Sequence, residues 1–127
     1  MSSDGMRIRG VRTVAVPVSD HDRALEFYVG RLGFEKRMDA SFGQGQRWAE
    51  VAPAGSPTTI ALAPAQGDVQ PGRDTGIRLS TEDAAADRAR LEAAGVAVDE
   101  LMTVPGVPPM FSFRDVDGNQ LYVVEGA

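Results

Sequence analysis

The sequence predicts an α+β fold made of two βαβββ modules, paired units related to the ferredoxin-like arrangement. Three observations carry that expectation. Strand, helix and three further strands are readable from Thr13 to Ala63, and the same order restarts at Gly76. The glycines that stop the two helices, Gly33 and Gly95, lie 62 residues apart, and the leading strands repeat at 63 residues from Val14 to Ile77. Few identities accompany this register, so what repeats is structural order. A single ferredoxin-like split unit opens with the same strand, helix and strand, but makes only one such pass. The expected organisation is therefore one domain over residues 1–127, with internal modules at about 6–63 and 76–127.

Each element has a local reason. Thr13–Val18 is rich in Val, which suits a pleated strand, and it runs into Ser19-Asp20, either of which can cap a helix by accepting a backbone N–H. The helix is expected from about Asp22, with Ala24, Leu25, Tyr28 and Leu32 forming one buried stripe and Gly33 supplying a left-handed stop. Strands follow at about Phe34 to Asp39, Arg47 to Ala52 and Thr58 to Ala63, separated by glycine- and proline-rich turns. Beyond a polar linker, Pro64 to Thr75, the second module reads as strand Gly76 to Ser80, helix Glu82 to Ala94 and strand Val96 to Leu101. A hairpin from Met110 to Glu125 is expected to turn on the two residues Asp117-Gly118.

Composition excludes several functions. The chain has no Cys, so it offers no disulfide, thiolate nucleophile or Cys-ligated metal, and a cytoplasmic location is expected. The opening Met-Ser-Ser-Asp-Gly lacks an apolar core, and no run approaches the roughly 18 apolar residues of a membrane span, so neither secretion nor a membrane partner is expected. A net charge of −5 with scattered arginines argues against nucleic acid. One histidine and no cysteine cannot assemble a Ser-His-Asp or Cys-His set.

The run Val14-Ala15-Val16-Pro17-Val18-Ser19-Asp20, then Arg23-Ala24-Leu25-Glu26-Phe27-Tyr28 and Leu32-Gly33-Phe34, resembles the opening of the vicinal oxygen chelate superfamily, that of glyoxalases, bleomycin-resistance proteins and extradiol dioxygenases. Asp115-Val116-Asp117-Gly118-Asn119 is similar to its closing signature, with Val116 where Pro is usual. The resemblance implies sheets curled around a cleft, a homodimer and, in the enzymes, a divalent metal held by His or Glu from the first, fourth, fifth and last strands. Those positions map here to Thr13, Ala61, Gly76 and Tyr122, which is not a ligand set for zinc, nickel or a hard divalent cation. No metal or other cofactor is expected. His21, in Asp20-His21-Asp22, reads as an exposed residue of the helix start.

Strand alternation then assigns the cleft face. Thr13, Ala15 and Pro17, with Thr59, Ala61 and Ala63, share it, while Val14, Val16, Val18, Ile60 and Leu62 point to the helices. Small residues toward the cleft suggest a roomy pocket. Gly76, Arg78 and Ser80 face inward from the fifth strand, and Gln120, Tyr122 and Val124 from the last. Trp48 and Glu50 share one face, and two placements of Trp48 stay open: lining the cleft or filling the core. Phe111 and Phe113 are assigned to the core, which leaves Met110 toward the pocket, and Phe42 sits in a loop at its rim. Trp48 and Tyr122 could stack on a flat ligand, Arg78 or Arg47 could meet an anionic or carbonyl group, and Glu50 is the one candidate general base.

The expected function is metal-independent binding that sequesters a small aromatic or apolar molecule, as the bleomycin-resistance branch does with antibiotics. Catalysis is not expected, although a glyoxalase-like lyase or dioxygenase-like oxygenase is the alternative, and a regulatory module without a ligand is a third. The ligand site is expected to comprise Trp48, Tyr122, Glu50, Arg78, Phe42, Met110, Thr13 and Ala61.

Overall fold

In the computed structural model, which describes residues 5–126, the two halves of the chain build sheets of identical strand order. The first half runs β1 (Thr13–Val18), α1 (His21–Leu25), a π-helical continuation of α1 (Glu26–Arg31), β2 (Glu35–Ser41), β3 (Arg47–Ala52) and β4 (Thr59–Pro64). The second runs β5 (Asp74–Thr81), α2 (Ala84–Ala93), β6 (Ala97–Val98), β7 (Met110–Arg114) and β8 (Gln120–Glu125). The sheets are ordered β1-β4-β3-β2 and β5-β8-β7-β6. In each, the first and last strands of the module pair in parallel and the rest are antiparallel. Met1 to Asp4, part of the stretch that argues against a secretory leader, and Ala127 lie outside the described residues.

The alternation read from sequence is what separates core from cleft. Val16, Val18, Ile60 and Leu62 are buried beneath α1, while Ala15, on the other face of β1, is exposed. In the second sheet Phe111, Phe113, Leu121 and Val123 take the helix side, and Phe27 stacks on Phe113 with ring centroids 6.4 Å apart. One hydrophobic cluster thus joins both modules. Trp48 is absent from it, so it does not fill the core: it lies half-buried on the face turned away from the helices.

Four sequence expectations need correction. α1 begins at His21, with Asp20 capping the amide of Arg23 at 3.1 Å, and then widens into a π turn. That turn lets adjacent Phe27 and Tyr28 both enter the core, whereas the regular stripe had named Leu25 and Leu32, which only flank it. α2 is shorter than the expected span because Asp83 caps it through the Ala86 amide at 3.0 Å. β6 shrinks to two residues. Finally, Asp117-Gly118 is no two-residue hairpin turn: strands end at Arg114 and restart at Gln120, because the Asp115 carboxylate gathers the amides of Asp117 and Asn119 at 2.9 Å each into a five-residue loop.

That loop also stitches the modules together. The Tyr28 hydroxyl donates to Asp115 Oδ2 at 2.7 Å, and the Asn119 side-chain amide donates to the Pro17 carbonyl at 2.8 Å. Burial, then the adjacent Asp115 charge, push the Tyr28 phenol well above its ordinary pKa. Ser19 donates to Asp117 through its hydroxyl. His21, expected to be exposed, is half-buried with Nε2 2.9 Å from the Leu62 carbonyl.

Candidate functional site

The face opposite the helices carries two separate polar clusters, one per sheet. On the first, cross-strand registers align Ala15 with Ala61, Ala61 with Glu50 and Thr13 with Thr59. Trp48 and Glu50, two residues apart on β3, share that face, and the indole N–H donates to Glu50 Oε2 at 2.8 Å. The Thr59 hydroxyl donates to Glu50 Oε1 at 2.7 Å, and the Thr13 hydroxyl donates to the Thr59 carbonyl at 3.1 Å. The Arg12 guanidinium stands 4.0 Å from Glu50 Oε2. Hydrogen bonds from Trp48 and Thr59, assisted by Arg12 against the opposing effect of burial, hold the Glu50 carboxyl below its ordinary pKa. Glu50 is therefore a fixed anion that positions Trp48, and a weak base.

On the second sheet, β5 and β8 bring Arg78 opposite Tyr122, and β7 places Ser112 on the other side of Tyr122. The Arg78 guanidinium carbon lies 4.6 Å from the centre of the Tyr122 ring, and its Nη1 donates to the Gly76 carbonyl at 2.9 Å. The Tyr122 hydroxyl donates to Asp74 Oδ2, while Oδ1 of the same carboxylate accepts the Gly76 amide at 2.9 Å. These bonds keep the Asp74 carboxyl below its usual range, and the bond to Asp74 raises the Tyr122 phenol. Gly76 adopts φ 72°, within an irregularity of β5 between Asp74 and Arg78. A side chain there would be strained, and glycine permits the bulge.

A cavity of about 780 Å³ runs between the modules, along the free edges of β1 and β5 and under the Pro53–Thr58 loop. Its walls include Ala15, Gly76, Arg78 and Ser80 from the expected cleft face, and also Val14 and Ile60, which strand parity had assigned to the helix side, because the cavity follows strand edges and reaches both faces. Of the eight expected ligand residues, Arg78 alone lines this cavity. Trp48, Glu50 and Thr13 form the first cluster, with Ala61 fully buried beside them; Tyr122 belongs to the second. Met110 is half-buried on β7, opposite Val124, and Phe42 is 69% exposed in the β2–β3 loop, away from the cavity. Arg47 is engaged elsewhere: it bonds both carboxylate oxygens of Asp39 and reaches Asp22 of α1 at 2.8 Å, lowering the Asp39 carboxyl to about 2. Asp74 and the Pro53–Thr58 wall were missed. Extending β5 by two residues at constant parity would have put Asp74 on the face of Gly76, but nothing local marks the loop.

The donor set does not fit a divalent cation. Ala61 and Gly76 offer no side-chain ligand, and the Thr13 and Tyr122 oxygens are hydrogen-bonded to neighbours. Among the described residues, no group of three or more His, Asp or Glu side chains could hold a metal.

Comparison with known proteins places this geometry. The sequence profile of the Glyoxalase/Bleomycin resistance protein/Dioxygenase superfamily matches residues 10–123. TnmS3, an antibiotic binding protein from Streptomyces sp. CB03234, is 38% identical and superposes with a TM-score of 0.86 over 96% of this chain and 99% of its own. A member of the same superfamily from Sphaerobacter thermophilus is 36% identical, with a TM-score of 0.87 over 94% and 98% of the two chains. The protein YetH of Bacillus subtilis is 29% identical over 93% of this chain and 99% of its own. The matched profile spans both modules and both clusters, and the chain belongs to the Glyoxalase/Bleomycin resistance protein/Dioxygenase superfamily.

Proposed function

We propose that this protein binds and sequesters a small, largely aromatic molecule of the antibiotic type, without a metal ion. The observation that carries the reading is the cavity of about 780 Å³, within the roughly 300–1,000 Å³ of small-molecule sites, with Gly76 in its wall. The non-ligand residues Thr13, Ala61, Gly76 and Tyr122 at the four positions that the resemblance implies support a metal-free site. The likeness to TnmS3, an antibiotic binding protein, supports the ligand class. Glu50 supports binding over catalysis, since a carboxylate kept ionised by two hydrogen bonds is a poor proton acceptor.

Two copies close the site in this reading. β1 and β5 each end a sheet with one edge unpaired, and the arm before β1 leaves Met6, Ile8 and Val11 exposed. Apolar side chains and open strand edges on one molecule favour association.

The test is a thermal-shift and fluorescence screen of aromatic natural products on the purified chain, with and without a chelator. Selective ligands stabilise the folded form by mass action, and chelation does not change that result. Dilution below the dissociation constant of the dimer weakens binding. A stoichiometric metal whose removal abolishes binding refutes the metal-free reading, and a screen without any stabilising compound refutes the binding reading.

A further inference from the structure

We propose that Arg78 is the cationic pole of the ligand site and selects planar aromatic molecules that carry an anionic oxygen. The inference deepens the binding function proposed above and rests on it. Among the residues lining the cavity of about 780 Å³, Arg78 is the only charged one; the rest are apolar, glycine, or neutral hydroxyl residues. An exposed guanidinium set among apolar and neutral neighbours is open to a counter-charge brought by a ligand.

The protein does not supply one. Among the described residues no carboxylate oxygen lies within 4.0 Å of the Arg78 guanidinium, whereas the ion pairs that do form occupy Arg12, Lys36, Arg37, Arg47 and Arg88. Asp74 is the nearby acid, and both of its oxygens are spent, one on the Tyr122 hydroxyl and the other on the Gly76 amide. It also stands within the field of two arginines, Arg78 and Arg114, without pairing directly with either. In the other half Glu50 faces Arg12 and accepts two hydrogen bonds.

Position and restraint make the unpaired guanidinium useful. Arg78 pairs in register with Tyr122 and bonds Gly76, so its guanidinium touches the residues at two of the four positions that would carry metal ligands in related enzymes. One face of the guanidinium lies on the Tyr122 ring, and only Nη1 is committed to the backbone, which leaves its remaining N–H donors free to fork onto an oxyanion. The contact with the phenol and the bond to the Gly76 carbonyl restrain the side chain before the ligand arrives, so less of its freedom is lost on binding.

Three probes of one shape and different charge test this: 2-naphthoate, 2-naphthylmethanol and 2-naphthylmethylammonium, titrated by calorimetry into the full-length protein. The expected order places naphthoate about tenfold tighter than the alcohol, with the ammonium weakest. Arg78→Gln abolishes the gap between naphthoate and alcohol; Arg78→Lys, which keeps the charge but not the fork, retains part of it. Both variants are checked for an unchanged unfolding midpoint, which an exposed side chain permits. Equal affinities in the parent, or a preference for naphthoate that survives Arg78→Gln, overturns the assignment while leaving the binding function standing. Failure of all three probes to bind overturns both.

Discussion

Replacing Tyr28 by Phe removes one oxygen from the seam between the modules, and the structure fixes what that costs. The Tyr28 side chain has no exposed surface, and its hydroxyl donates at 2.7 Å to Asp115, a buried carboxylate 87 residues away in sequence. After the change Asp115 Oδ2 retains only the Asn119 side-chain amide at 3.0 Å, while Oδ1 keeps the two amides of its own loop. The ring stays, with its edge contact to Phe27 at a centroid distance of 5.2 Å, so packing is little disturbed. One hydrogen bond to a charged acceptor contributes roughly 1.5–3 kcal/mol. For a chain of this length that corresponds to a fall in Tm of about 5–12 °C. Urea unfolding of the parent and of Tyr28→Phe, with Asp115→Asn and the double variant completing a cycle, measures it. A loss under about 0.5 kcal/mol, or a coupling energy near zero, would mean that the Tyr28–Asp115 bond contributes nothing net to the seam. The pH dependence follows from the raised Tyr28 pKa. A phenol that holds its proton more tightly when folded stabilises fully below its unfolded value of about 10, and that advantage fades as the pH rises through and beyond it. The difference between parent and Tyr28→Phe should therefore shrink in strong alkali.

Three further outcomes are expected. The Glu50 carboxyl is held below its ordinary value, so its contribution is present above about pH 4.3 and is lost as the pH falls through the folded pKa; Trp48 emission should follow that acid transition in the parent and lose it in Glu50→Gln. Gly118→Ala should destabilise by about 1–2 kcal/mol in urea unfolding, because φ is 82° there, although a new Cβ would meet only the Gly72 Cα at 3.6 Å; a neutral result would place the strain elsewhere. Phe42→Ser should leave the unfolding midpoint unchanged within about 0.5 kcal/mol, since the ring is 69% exposed, and a larger loss would reveal a contact that exposure hides.

Much of the fold was legible because its signals are local. β1 and β3 fall at their expected bounds, and the contrast of branched Val16, Ile60 and Leu62 against small Ala15 and Ala61 separates the two faces of the first sheet. The π turn was not legible, because admitting Phe27 beside Tyr28 is a response to the core and has no propensity of its own. The Asp115 loop misled for a related reason: Asp-Gly favours a tight turn locally, but a carboxylate that can satisfy two loop amides and the Tyr28 hydroxyl outweighs it. At the site, parity placed Arg78 and Tyr122 on one face, yet it could not tell that Arg78 would cover the ring. Nor could it find the cavity, whose walls are strand edges and the Pro53–Thr58 loop and so depend on how two modules dock.

The bond from Asn119 to the Pro17 carbonyl, together with the grip of Asn119 on the Gly72 amide at 3.0 Å, recognises main-chain atoms only. Side chains on the open face of β1 play no part in it. The joint between the halves and the wall of the hollow therefore answer to different atoms, so a lineage could re-tailor the hollow for a new cargo without loosening the hinge line on which the architecture depends.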